Sequence, residues 1–260
     1  MKPTIQLKIN ARVLSATLLL IASLFVALSS CKKDSPGSTT SSTVGVDDAA
    51  DAVIQAVTPE SAGMVSQTET AALVLNNSAI TTITSSSTVV SACGITADTV
   101  FAGSNASGAA ITYSYSYGSS RILSCKNDIP QQFEYGYTGK WSYDAPRISS
   151  NDSANAQLTI TGLPADSSQY TFNGSYVRNG SETSKIGNKL SFASTITLNV
   201  TNLGIDKNTD EILSGTASVT INGSTSGGKS FSYSGTLTFL GNKQATLVLG
   251  SGNTYSITWS

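Results

Sequence analysis

The sequence predicts a mainly β domain: an antiparallel meander forming a curled sheet, barrel or half-barrel, preceded by one or two helices. Alternation, turn spacing and glycine placement predict it. From residue 79 onward apolar residues recur at every second position, the period of a strand with one buried and one solvated face. Short turn signals separate these rows, and short connections make successive strands antiparallel neighbours. Gly174, Gly215 and Gly235 interrupt the apolar rows near mid-strand, where glycine suits a sharply curved sheet better than a flat one. A β-sandwich is the alternative. An outer-membrane barrel alternates in the same way, but the non-apolar face here is Ser and Thr rather than a charged lumen.

The helical segment covers 46–78. Val46, Ala49, Ala50, Val53 and Val57 form one stripe at helical spacing, with Asp47 and Asp48 in the first turn, where they favour the helix dipole. Pro59 ends this helix. A second run, from Met64 to Leu75, puts Met64, Thr68, Ala71, Ala72 and Leu75 on one side, and Asn76-Asn77 breaks the pattern. Both stripes read as core-facing.

The β domain covers 79–260. Ile111, Tyr113, Tyr115 and Tyr117 alternate with Thr112, Ser114 and Ser116, and Phe133, Tyr135, Tyr137, Trp141 and Tyr143 continue in the same phase until Asp144-Ala145-Pro146. Leu158 and Ile160 share the face of one strand. Tyr170, Phe172, Gly174 and Tyr176 share the next, which Asn179-Gly180, a strong hairpin signal, closes. Four further rows follow, with turns near Lys207-Asn208, Gly227-Gly228, Gly241-Asn242 and Ser251-Gly252-Asn253, and Tyr255, Ile257 and Trp259 end the chain. No proline occurs after Pro164, so every late strand is able to pair on both edges.

Composition removes several function classes. The chain has 15 Lys and Arg against 16 Asp and Glu, and no cluster of basic residues of the kind nucleic acid requires. It has no His, which removes the usual general base and the commonest transition-metal ligand, and rules out any Ser-His-Asp arrangement. Asp210 and Glu211 are adjacent and point to opposite faces, and Asp144, Asp152 and Asp166 fall in predicted loops, so no carboxylate dyad is predicted. There is no phosphate-binding glycine loop and no Ca²⁺ loop. Neither catalytic residues, nor a metal site, nor a cofactor is expected.

The first 30 residues have the form of an export signal. Lys2, Lys8 and Arg12 make a cationic start, and Val13 to Leu28 is uncharged and short for a membrane span, which takes about 20 apolar residues. The stretch ends in Leu28-Ser29-Ser30-Cys31, which resembles the lipobox of bacterial lipoproteins. That resemblance implies cleavage after Ser30, a thioether lipid on Cys31 and acylation of the new amine with a fatty acid such as palmitate. Cys31-Lys32-Lys33-Asp34 ahead of a Ser/Gly-rich stretch is similar to the starts of Bacteroidetes lipoproteins. It implies an outer-membrane anchor in the cell envelope, on the surface or the periplasmic face, with the membrane as partner. Residues 31–45 read as a flexible tether. The remainder looks like lipoproteins without an assigned role, so the resemblance brings no activity with it.

With Cys31 lipidated, Cys93 and Cys125 are expected to form one disulfide, as suits an exported chain; two free thiols are the alternative. Asp98-Thr99-Val100 and Asp152-Ser153-Ala154 resemble the O-glycosylation acceptor of Bacteroidetes, which makes Thr99 and Ser153 candidates. Tyr113, Tyr115, Tyr117, Tyr135, Tyr137 and Trp141 are either a platform for a ligand, sugars included, or simply the packed inner face of the sheet. Three roles follow: a tethered β domain binding an apolar ligand or a partner protein in its concavity, a glycan-binding module, or a structural envelope component.

Overall fold

In the computed structural model the described residues are 43–77, 93–105, 107–127 and 129–260. The signal, Cys31, most of the tether and residues 78–92 lie outside them. Helix α1 (Val46–Val57), a 3-10 turn (Pro59–Ser61) and helix α2 (Met64–Asn77) precede ten strands: β1 (Thr96–Ser104), β2 (Thr112–Lys126), β3 (Ile129–Asp144), β4 (Ile148–Thr161), β5 (Gln169–Ser184), β6 (Ser191–Asp206), β7 (Ile212–Thr225), β8 (Ser230–Gly241), β9 (Gln244–Leu249) and β10 (Asn253–Thr258). They form one antiparallel sheet in sequence order, and β1 and β10 do not pair. The meander is therefore an open sheet. It is neither a closed barrel nor a two-sheet sandwich.

Alternation assigns one face to the core. In β4 every second residue from Ile148 to Ile160 is buried, Ser150 and Asp152 included, while the residues in the other phase are not. The same phase runs across the sheet, where Tyr137, Ala156, Tyr176, Leu198 and Val219 lie in one cross-strand row. The covering layer is the helical segment. Ala49, Ala52, Val53, Ala56 and Val57 of α1 and Met64, Val65, Ala71, Ala72 and Leu75 of α2 join the sheet residues in a single hydrophobic cluster.

Helix α1 fixes the shape. Asp47 accepts a hydrogen bond from Tyr255 in β10 at 2.7 Å, while Asp51 pairs with Arg147, just ahead of β4, at 2.9 Å. In a flat sheet β4 and β10 would be about 29 Å apart, well beyond one helix of about 10–12 Å diameter. The sheet must curl around the helix. The 3-10 turn sits at the gap: Glu60 accepts from the Ser260 N–H at 2.9 Å, beyond β10, and lines one surface pocket with Asn105, Ile111 and Tyr113 of the β1–β2 end.

The glycines contribute to the curl. Gly174 and Gly215 have φ of +143° and +141°, close to β-bulges, where a side chain would be strained. Asn76 and Asn77, expected to break the second helix, are its last two residues. The Asn76 amide donates to Asp210 Oδ1 at 2.7 Å and accepts from the Tyr170 hydroxyl at 2.8 Å, which ties the helix end to the sheet.

Asn179-Gly180 is not a hairpin. Both lie inside β5, which runs on to Ser184, and the turn follows at 185–190. Gly180 is opposite Asp152, where a Cβ would come 2.4 Å from both Asp152 Oδ1 and Glu182 Oε1. It is glycine because two carboxylates occupy the space above it. Urea unfolding of the whole chain separates the two readings. Gly180→Val should cost about 1–3 kcal/mol from overpacking. Asn179→Thr, at an exposed strand position, should stay within about 0.5 kcal/mol. Comparable losses at both positions would restore the turn.

Candidate functional site

The inner face changes character along its strands. β5 points Tyr170, Phe172 and Tyr176 inward, and then Arg178, Gly180, Glu182 and Ser184 in the same phase. β4 runs from Ile160 and Leu158 to Asp152 and Ser150, and β6 adds Ser194. These polar residues are all buried. They form one patch on neighbouring strands, beneath α1.

Arg178 is its centre. Its Nε donates to Asp152 Oδ2 at 2.5 Å, and the two side chains are each 2% exposed. Nη1 donates to the backbone oxygen of Gln55 in the last turn of α1 at 3.2 Å, and the guanidinium lies over the Tyr143 ring, 5.1 Å from its centroid. The Ser150 hydroxyl donates to Asp152 Oδ1, and the Ser194 hydroxyl to Glu182 Oε1 at 2.6 Å. Three further contacts hold α1: Ser184 Oγ to Asp48 at 2.6 Å, the Arg147–Asp51 pair, and the Tyr255–Asp47 hydrogen bond.

The patch is incompletely satisfied. Arg178 Nη2, Glu182 Oε2, Gln55 Oε1, Tyr137 OH and Trp141 Nε1 are buried and have no hydrogen-bond partner in the protein. Each such atom costs about 1–3 kcal/mol. Burial, reinforced by the Asp152 carboxylate, pushes Glu182 up to about 7, although the Ser194 hydrogen bond offsets part of this. Burial also works against the Arg178 cation, but Tyr176, Asp152 and Tyr143 outweigh it and hold the group above its ordinary value. Among the described residues no cluster of His, Cys, Asp and Glu is arranged to hold a metal.

The candidate aromatics do come together, on the inside. Tyr117, Tyr135, Tyr137 and Trp141 are buried and Tyr113 and Tyr115 half-buried. Tyr117 stacks on Trp141 at 5.6 Å with planes 12° apart, and Tyr115 lies 5.7 Å from Tyr117. No aromatic side chain among the described residues is exposed.

Cys93 and Cys125 form a disulfide with Cα atoms 5.7 Å apart, tying the chain ahead of β1 to β2. Thr99 is half-buried, and its hydroxyl accepts from Arg121 at 3.2 Å. Ser153 is exposed on the outer face. Its neighbour Asp152 lies inside a strand, not in a loop as the sequence suggested.

Arg178, Glu182, Ser150, Ser194 and Gln55 were missed. The signal for Arg178 and Glu182 was the phase itself: positions 170, 172, 174 and 176 continue to 178 and 182, but the assumed hairpin ended the strand at 179. Searches among protein families, curated proteins and solved structures find no match to this chain.

Glu182 makes stability depend on pH. Its folded value of about 7 lies above the ordinary 4.5, so its contribution is complete below about pH 4.5 and is lost as pH rises through 7. At 3% exposure the loss should reach about 3 kcal/mol. Glu69 on α2, also raised to about 7 by burial, titrates in the same window. Chemical unfolding at pH 5 and 8 should show this decline, and Glu182→Gln should remove the share due to Glu182 and leave that of Glu69. A wild-type profile as flat as that of the variant would contradict the assignment.

Proposed function

We propose that the chain is a lipid-anchored, non-catalytic lipoprotein of the cell envelope, tethered to the outer membrane, whose β domain holds an apolar ligand between the sheet and its helical cover. The anchor rests on the charge pattern of 1–30 and on Leu28-Ser29-Ser30-Cys31. The ligand reading rests chiefly on one observation: a ten-stranded apolar face is covered by two short helices, one of which meets it across a patch of unsatisfied polar atoms. A cover joined by discrete polar contacts lifts at lower cost than one interlocked by large side chains, because water replaces each hydrogen bond as it breaks. The small residues on the buried side of α1, Ala49, Ala52 and Ala56, fit this role.

A purely structural envelope role is the second reading. It is favoured by the complete burial of Phe172, Phe192, Leu198, Val219, Leu237 and Phe239, which leaves the concavity filled. A glycan-binding module has less support, since the aromatic side chains turn inward.

Native mass spectrometry of the protein released from its own envelope decides between the first two. A retained lipid mass in addition to the covalent anchor is the expected result, and a clean unliganded mass would favour the structural role. Cys31→Ala should move the protein from the membrane to the soluble fraction, and persistent membrane association would contradict the anchor.

A further inference from the structure

We propose that Arg178 is the recognition point for the carbonyl oxygen of a neutral acyl ester or amide, which takes the place of the Gln55 backbone carbonyl when α1 lifts. The inference rests on reading the interior as a ligand site and names the class of ligand.

The guanidinium is built to receive an acceptor. Nε is fixed by Asp152 and the plane by Tyr143, so the fork cannot turn away. Its other two nitrogens remain. Nη1 holds a carbonyl from the last helical turn of α1, and Nη2, equally buried, holds nothing. One backbone oxygen thus occupies a fork with room for two hydrogen bonds. The present occupant indicates the chemistry that fits, a neutral carbonyl oxygen.

Charge narrows the class. Asp152 already balances Arg178, and Glu182 faces the same space across Gly180. A carboxylate or phosphate would bring a second negative charge beside Asp152 in a site closed to water, which is costly. An ester or amide oxygen accepts the same two hydrogen bonds without that penalty. The unpaired Glu182 Oε2 and Trp141 Nε1 offer an acceptor and a donor to a hydroxyl on the polar side of the ligand. For the hydrocarbon chain the sheet provides an apolar track. Ile196 and Ile221 follow Arg178 in its own cross-strand row, and Leu198 and Val219 lie in the next. A polar group at Arg178 with an alkyl chain laid along β6 and β7 describes an acylated, uncharged amphiphile.

The test uses the whole chain carrying Cys31→Ala, so that its own anchor does not compete. Three probes of equal chain length are titrated while tryptophan fluorescence is followed: 1-palmitoylglycerol, palmitate and hexadecane. The ester should bind at one site, and both Arg178→Lys and the paired Asp152→Asn/Arg178→Met should weaken it by about tenfold or more. Palmitate should bind no tighter than the ester, and hexadecane should be indifferent to both variants. Ester affinity unchanged in a folded variant would overturn the proposal, as would palmitate binding more tightly than the ester. Should neither variant fold, the ranking of the three probes on the Cys31→Ala chain decides alone: ester above hexadecane supports the role of Arg178, and equality refutes it. Binding of every probe without regard to Arg178 would sink this inference but leave the interior ligand site standing. No binding of any probe would remove both.

Discussion

The structure depends on covering one face of a very long amphipathic sheet with very little chain. Ten strands, most of them 12 to 16 residues long, present an inner face that is apolar outside the Arg178 patch, and among the described residues two helices of 12 and 14 residues, with the 3-10 turn between them, cover it. A flat sheet of that width would leave most of its apolar face in water, at about 25 cal/mol per Å². Curling the sheet until strands as distant as β4 and β10 both reach α1 removes that exposure. The bulges at Gly174 and Gly215 and the open edges at β1 and β10 follow from the same demand, since a sheet wrapped around helices has no need to close on itself.

The curl also explains why the polar patch is where it is. Towards the other end of the same strands, Ile160, Phe172 and Leu203 form a buried, wholly apolar cross-strand row. Beneath α1 the strands carry Ser150, Asp152, Arg178, Glu182 and Ser194 instead. A buried ion pair is weak support for stability, because desolvating both charges cancels much of their attraction. Keeping one, with unpaired atoms around it, costs stability that an apolar patch would not. The arrangement makes sense as a place where the helix sits without being locked.

Much of this fold was legible in the sequence because alternation is a local property. The phase of Phe133 to Tyr143, the stripes of both helices and the glycine positions each follow from a few neighbouring residues. The errors came where one local signal had two physical causes. Asn-Gly marks a tight turn when backbone conformation selects the glycine, but Gly180 was selected by the carboxylates of Asp152 and Glu182 across the sheet. The aromatic row was assigned correctly to a single face, but alternation alone does not tell an outer platform from an inner layer. The patch itself was hidden because Arg178 and Asp152 are 26 residues apart and meet only through strand register.

In the proposed function the helical cover and the sheet are separable layers, joined by polar contacts at the Arg178 patch. Hydrogen exchange of the intact protein tests this most directly, because it reads the opening free energy of each segment. The account predicts that amides of α1 exchange through a local opening well before those of β4–β7, which should exchange only on global unfolding. If α1 and the central strands share a single opening free energy, the helix is an inseparable part of the core and the account is wrong.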